Sequence, residues 1–331
     1  MPHRLSRNLC RPQAGMHFAA GGRSYVLEGK LGDGAVGLVR KATDRESNRA
    51  VAVKLLAPDP KYIEQDAFDD VADRFRREGL RGAGLRHENL VDVLAYEDNV
   101  GGVCFGTRRV TNPFLVMEFV RGCTLESLIK NLASDGDPHV TITPQTLSIA
   151  TRVSQALLYL HERKITHRDV KPANIFLTTS VAGAIPSQVK LGDFGVTKWG
   201  DFLAAATTGT LTMSHQQGLG TLKYMSPEQA VRPKDVTVRS DMYSFGITLF
   251  ELFTAHILAS AHHVFEIRTA RNMRSTISGR LYHLGITKAK PGEESVFEMI
   301  LDMFLAPPER PTSRQVAGRF EVWYERTRGS R

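Results

Sequence analysis

The eight residues His167-Arg168-Asp169-Val170-Lys171-Pro172-Ala173-Asn174, followed at once by Ile175-Phe176-Leu177, constrain this chain more than any other stretch. Acid, cations and amide crowd into one short segment that enters a β-prone apolar run, which reads as a functional loop leading into a buried strand. A solvated loop also carries charges, so the reading depends on partner motifs. Three are present. Residues 25–42 alternate apolar positions on both sides of Gly32-Asp33-Gly34-Ala35-Val36-Gly37, which predicts two strands joined by a glycine-rich turn. A dinucleotide-type glycine motif would place a helix immediately afterwards. Val51-Ala52-Val53-Lys54-Leu55-Leu56 is a β-rich run with one lysine, and Val189-Lys190-Leu191-Gly192-Asp193-Phe194-Gly195 is an apolar strand that ends in an acid.

Together these motifs resemble those of the eukaryotic-type (Hanks-type) Ser/Thr protein kinases, over about residues 25 to 325. The resemblance implies an α+β, bilobal protein-kinase fold. Residues 25–120 would form a small, mainly antiparallel β N-lobe with one helix (αC), and residues 121–325 a larger, mainly α-helical C-lobe. It implies ATP and Mg2+ as cofactors and transfer of the γ-phosphoryl group to Ser/Thr hydroxyls of protein substrates. By this resemblance Asp169 orients the attacking hydroxyl and accepts its proton, Lys171 supplies a cation beside the moving phosphoryl group, and Thr221 bridges the two. Asn174 and Asp193 would hold the metal. Lys54 would grip the α- and β-phosphates and pair with Glu78 of Arg74-Phe75-Arg76-Arg77-Glu78. The glycine-rich segment Leu31, Gly32, Gly34, Gly37 and Val39 would cover the nucleotide, and Ala52, Met117 and Leu177 would enclose the adenine. Backbone groups of Glu118 and Val120 would bond its edge. The competing reading is a pseudokinase scaffold that binds nucleotide and partners without turnover. Such proteins commonly lose the equivalents of Lys54, Asp169, Asn174 or Asp193, and all four are present here.

The resemblance also carries structural and regulatory expectations. Asp241 would hold the backbone of the His167–Asn174 loop, and Glu228 would form a buried ion pair with Arg310. Arg168 implies control by phosphorylation of the activation segment, with Lys198 and Arg74 able to share the phosphate. The position four before Thr221 is Gln217, so the candidates become Thr212 and Ser214, then Thr207, Thr208 and Thr210. Phosphorylation in trans adds self-association to the expected partners. Acids at the positions of Ala173 and Thr124 would favour basic substrates, and neither residue is acidic. One departure concerns Gly79, Gly82 and Gly84, read as interior helix glycines that each cost about 0.8–1 kcal/mol relative to alanine. They predict a loosely held αC.

The 331 residues are 42% hydrophobic, enough for a sizeable core. The net charge of +8 is scattered among acids rather than gathered in one run, which argues against specific nucleic-acid binding. Cys10, Cys104 and Cys123 lie far apart and leave one unpaired in any disulfide scheme, which reads as a reducing, cytoplasmic setting. No transmembrane segment is expected, since no run approaches about 18 uninterrupted apolar residues. Residues 1–24 read as a flexible basic tail broken by Pro2, Pro12 and Gly21-Gly22, residues 326–331 as a C-terminal tail, and 58–71 and 98–113 as long loops.

Overall fold

The computed structural model describes residues 14–33, 37–56, 65–97, 103–105, 108–110, 113–134, 142–178, 184–193, 223–256, 270–283 and 294–329. The chain divides into two compact units. Among the described residues the first holds 14–86 and 91–119, and the second holds 87–90 and 120 onward.

The first unit is built on a six-stranded antiparallel sheet in the order β1-β2-β3-β4-β8-β5. Its strands are β1 (His17–Ala20), β2 (Arg23–Asp33), β3 (Gly37–Asp44), β4 (Ala50–Leu56), β5 (Val93–Glu97) and β8 (Phe114–Glu118). β1 corrects the expectation of a flexible tail through residue 24. Gly21 and Gly22 take positive φ (55° and 75°). That geometry turns a two-residue hairpin, so the pair joins strands rather than merely breaking a helix. Alternation along His17-Phe18-Ala19-Ala20 then buries Phe18 and Ala20. Phe18 stacks on Tyr25 at 5.1 Å and meets Phe114 edge-on at 5.3 Å. Burying one such ring stabilises by about 1.5–3 kcal/mol.

Two further corrections concern the connections. Helix α1 (Gln65–Ala83) begins inside the stretch read as a loop over 58–71, and β6 (Val103–Phe105) pairs with β7 (Arg108–Val110) inside 98–113. Gly84 lies just past α1. At Gly79 an added Cβ would fall 2.4 Å from Tyr96 and 2.5 Å from Leu115. This glycine therefore trades helix propensity for close contact with β5 and β8. Phe75, one turn earlier and buried, approaches the Tyr96 ring at 6.4 Å. The helix is thus seated by packing on the sheet, which opposes the loosening expected from glycine content alone.

The second unit is mainly helical: α2 (Leu125–Ser134), α3 (Pro144–Glu162), α4 (Pro227–Val231), α5 (Val238–Thr254), α6 (Ala270–His283), α7 (Glu294–Asp302) and α8 (Ser313–Gly329). Three short strands, β9 (Cys123–Thr124), β10 (Ile175–Leu177) and β11 (Val189–Leu191), form a sheet in the order β11-β10-β9. Local chemistry sets the helix starts. Thr143 and Thr146 close a capping box before α3, with Pro144 in its first turn, and Thr237 with Ser240 does the same for α5. From Ser240 to Thr254 every residue of α5 is buried, so this helix is the axis of the unit. Phe320 of α8 packs on Phe253 (6.1 Å) and Phe245 (6.4 Å). Residues 326–329, expected in a tail, continue α8. Among the described residues no helix is long and apolar enough to cross a membrane.

Candidate active site

The loop after α3 is held from beneath by α5. Asp241, 1% exposed, accepts from the amide of His167 (2.7 Å), the amide of Arg168 (2.7 Å) and Nε2 of His161 (2.8 Å). Arg168 has φ +71°, a conformation that costs a non-glycine residue about 1–3 kcal/mol. The three bonds to a buried carboxylate offset that cost. On the other side of Arg168, Gln229 of α4 donates from Nε2 to its carbonyl at 2.7 Å. The turn that presents Asp169 is therefore clamped at both ends.

Beyond it, Lys171 Nζ lies 2.9 Å from Asp169 Oδ2. Asn174, at the end of a 3-10 turn over Pro172–Asn174, donates from Nδ2 to both the carbonyl and Oδ2 of Asp169, each at 2.9 Å. Both side chains converge on the same carboxylate oxygen. His167 is fully enclosed, and its burial pushes the imidazole below its ordinary value despite nearby Asp241, Asp169 and Asp193. Its Nδ1 accepts from the Asp169 amide at 3.3 Å, so Nε2 carries the proton and donates to Gly192 O at 3.2 Å. This neutral ring ties the Asp169 loop to the end of β11.

Gly192 donates its amide to Asn174 O at 2.9 Å, and Asp193, the next residue, takes φ +55°. Asn174 and Asp193 thus bring an amide and a carboxylate onto backbones joined by one hydrogen bond. Oxygen donors of this kind suit a hard cation such as Mg2+, which is ordinarily held by one or two side chains together with substrate phosphates. No group of three or more His, Cys, Asp or Glu among the described residues could hold a metal by itself.

β10 continues the loop into the sheet, and Leu177 is fully buried there between Val189 and Cys123. Gly122 has φ +152°, and an added Cβ would sit 1.9 Å from the Leu177 carbonyl, so only glycine allows this approach. Burial pushes the Cys123 thiol upward, which disfavours its thiolate form. Residues 87–90 are bound to the same strands. Asn89 donates to Val189 O (3.0 Å), its carbonyl accepts from the Leu191 amide (2.8 Å), and Lys190 Nζ reaches Leu90 O (3.2 Å).

Within the first unit, Lys54 on β4 pairs across the sheet with Val39 of β3 and Leu115 of β8, and Val39 pairs with Gly32 of β2. Leu31 is exposed on β2, Gly37 opens β3, and Ala52 sits opposite Met117. The expected nucleotide-facing residues therefore lie on adjacent strands. Glu118 spends its amide on Asp92 O (2.9 Å), so the expected adenine contact from this residue would have to use its carbonyl. Val120 begins the second unit's share of the chain. Glu78 lies in α1, but its side chain, like that of Arg74, falls outside the described residues. Gly34, Phe194, Lys198, Thr207, Thr208, Thr210, Thr212, Ser214, Gln217 and Thr221 also lie outside them.

The expected Glu228–Arg310 pair is present. Arg310, with a fully enclosed side chain, donates to Oε1 (2.5 Å) and Oε2 (3.0 Å) of Glu228, and Ser240 adds a bond at 2.8 Å. Sequence reasoning missed the Gln229 clamp, His161, Asn89 and Lys190. Each is an ordinary residue whose partner lies 61 to 100 positions away.

One unit is an antiparallel sheet carrying one helix, and the other is a helical unit whose buried aspartate anchors an Asp-Lys-Asn loop. The model of the protein kinase domain matches residues 25–319, and the chain belongs to that family. It is 36% identical over 235 residues to a probable serine/threonine-protein kinase of Streptomyces coelicolor, covering 71% of this chain and 30% of that protein. Identity is also 36% to the serine/threonine-protein kinase PknB of Mycobacterium leprae, over 70% of this chain and 32% of the relative. The chain thus spans about a third of the length of these curated relatives. In fold it is similar to the crystal structure of the Mycobacterium tuberculosis PknI kinase domain, with TM-score 0.61 and 22% identity, covering 94% of this chain and 99% of that one.

Proposed function

We propose that this chain is an active Ser/Thr protein kinase that transfers the γ-phosphoryl group of Mg-ATP to protein hydroxyls. The observation that carries the reading is the convergence of Lys171 and Asn174 on one oxygen of Asp169, in a loop held by buried Asp241. In this reading Asp169 orients the acceptor hydroxyl and takes its proton as the new bond forms. Lys171 would place positive charge where the phosphoryl group passes, and its contact with Oδ2 holds the Asp169 side chain in position. Asn174 and Asp193 would hold Mg2+, which neutralises phosphate charge when bound. Lys54 would fix the α- and β-phosphates, with Glu78 as its partner, while Leu31, Gly32, Gly34, Gly37, Val39, Ala52, Met117 and Leu177 enclose the nucleotide. Thr221 would hold Asp169 and Lys171 in register and favour Ser/Thr over Tyr acceptors.

The serine/threonine-kinase relatives support this reading. Activation would follow phosphorylation within Thr207 to Ser214, by a second copy of the chain acting in trans. Incubation with Mg-ATP and a mixed Ser, Thr and Tyr peptide library, followed by phosphoamino-acid analysis, tests the acceptor class. Phosphoserine and phosphothreonine are expected; phosphotyrosine alone would overturn the assignment. Mass spectrometry should place autophosphorylation at Thr207, Thr208, Thr210, Thr212 or Ser214, and changing all five to alanine should lower turnover. Unchanged turnover would remove this mode of control.

A further inference from the structure

The start of α5, the end of α7, the segment 308–312 and the first turns of α8 meet around a cavity of about 340 Å3 in the second unit. Its volume falls within the range of small-molecule sites, towards the lower end. Arg310 and Asp302 line it but are committed elsewhere, the arginine to Glu228, Leu305 O and Arg239 O, the acid to Arg274 at 3.5 Å. Three other donor groups on the lining are not committed. Arg239 donates from Nη1 to the Arg310 carbonyl, which fixes the guanidinium and leaves its remaining donors without an acceptor among the described residues. Gln315 accepts from the amide (2.8 Å) and hydroxyl (2.9 Å) of Thr312 at Oε1, so both N–H groups of its side chain are left over. Arg319 lies four residues further along α8, on the same helix face, and is exposed. Its guanidinium makes no hydrogen bond or ion pair among the described residues, and neither does the carboxylate of Glu309, which lines the same cavity. The cavity's one uncommitted acid therefore forms no ion pair with either arginine.

We infer that this cavity is a binding site for a small phosphate monoester. Two uncommitted guanidinium groups match the charge of about −1.5 to −2 that a phosphate monoester carries at pH 7. One arginine fork suffices for a planar carboxylate. Here donors come from α5 and from two residues of α8, an arrangement that a tetrahedral group with three acceptor oxygens can fill. The carboxylate of Glu309 repels a bare anion but accepts from a hydroxyl, so it favours a phosphate esterified to a polyol or sugar. Met299, Pro308 and Pro311 supply an apolar wall for the carbon skeleton. The inference goes beyond the kinase reading and does not depend on it, since none of these residues is assigned to nucleotide or acceptor. The cavity is joined to the Asp169 loop through the core. Arg239 and Arg310 exchange hydrogen bonds, Arg310 holds Glu228, and Gln229 beside it holds Arg168 O.

The test is isothermal titration of the full chain with glycerol 3-phosphate, with a non-hydrolysable Mg-ATP analogue kept saturating so that the proposed nucleotide residues do not contribute. Wild type should bind one equivalent with Kd of about 1 mM or tighter. Arg319→Ala should weaken binding about tenfold or more, the scale of one hydrogen bond to a charged group. Arg319→Lys should weaken it less, because it keeps the charge and loses the fork. Arg319 is exposed, so both variants should fold with Tm near that of wild type. Added ligand should raise the Tm of wild type, and raise that of Arg319→Ala by less. Inorganic phosphate should bind more weakly than the ester, and Glu309→Gln should reduce that difference. No binding by wild type, an affinity unchanged in Arg319→Ala, or acetate binding as tightly as the ester contradicts the inference. A phosphoserine peptide that binds more tightly than glycerol 3-phosphate also overturns it, by making the cavity a protein-docking site. Each readout is of binding alone, so a chain that transfers no phosphate still decides the question.

Discussion

Changing Arg310 to alanine removes one side of a desolvated pair and leaves the other in place. The arginine side chain is fully enclosed, and that of Glu228 is 11% exposed. Besides its two bonds to Glu228, Arg310 donates from Nε to Leu305 O (2.9 Å) and from Nη1 to Arg239 O (3.1 Å). Alanine leaves Glu228 with Ser240 as its remaining side-chain donor and removes one donor from each of the two carbonyls. Breaking one side of such a pair costs about 3–5 kcal/mol. In a chain of this size that lowers Tm by about 4–7 °C. Urea unfolding followed by far-UV circular dichroism measures the loss. The double variant Glu228→Leu/Arg310→Met should recover much of it, with a coupling of about 2 kcal/mol or more. Proton linkage adds a sign. Burial would raise the Glu228 carboxyl, but Arg310 outweighs it and holds the group below its ordinary 4.5. The pair's contribution is therefore complete above that value and disappears as pH falls through the lowered one. Without Arg310, burial favours the protonated acid, so the gap between wild type and variant should narrow below pH 4.5. A loss under about 1 kcal/mol, or strictly additive double-variant energies, would refute the assignment of a buried, coupled pair.

Other outcomes follow from the same geometry. Asp241→Ala frees the His167 and Arg168 amides and should lower kcat by about a hundredfold or more, with a smaller change in KM for ATP; an unchanged kcat would show that the loop keeps its form without this anchor. His167 is held neutral by burial, with its imidazole below 6.5, so its contribution to stability is present above 6.5 and declines as pH falls through the lowered value. His167→Phe should flatten that acid limb of the stability curve, and an unaltered limb would place the titration elsewhere. Gly79→Ala should destabilise by about 1–3 kcal/mol through overpacking against Tyr96 and Leu115, in spite of alanine's better helix propensity. At Gly84 an added Cβ meets only ordinary contact at 3.7 Å from Arg81 O, so alanine should be close to neutral in the same unfolding assay.

The loop from His167 to Asn174, the lysine-bearing strand and the end of β11 were legible because each is a short motif whose chemistry needs a fixed local spacing. The anchoring aspartate and the Glu228–Arg310 pair were legible only through resemblance, since their partners lie 73 to 82 residues apart. β1 was hidden because four residues, Phe18 and Ala20 among them, stand between basic positions and a glycine pair that punctuates turns and tails alike. The start of α1 was hidden for another reason. Gln65-Asp66-Ala67-Phe68-Asp69-Asp70 is rich in acids, which suits a helix N-terminus but also suits a loop. Gly79 misled because propensity tables count lost helix energy and not the neighbour that needs the space. The bonds of Lys223 and Tyr224 to Glu251 could not be read from sequence, because their partner lies 28 and 27 positions away on a continuously buried helix.

The central claim is that Asp169 acts on a hydroxyl while Lys171, Asn174 and Asp193 manage the phosphates. Its most direct test is the initial rate of radiolabel transfer from Mg-ATP to protein or peptide by purified wild type and by Asp169→Ala. Wild type should label Ser and Thr acceptors, and the variant should fall by about 10²–10⁴-fold while still binding nucleotide. Equal rates, or nucleotide binding by wild type with no transfer to any acceptor, would contradict the account.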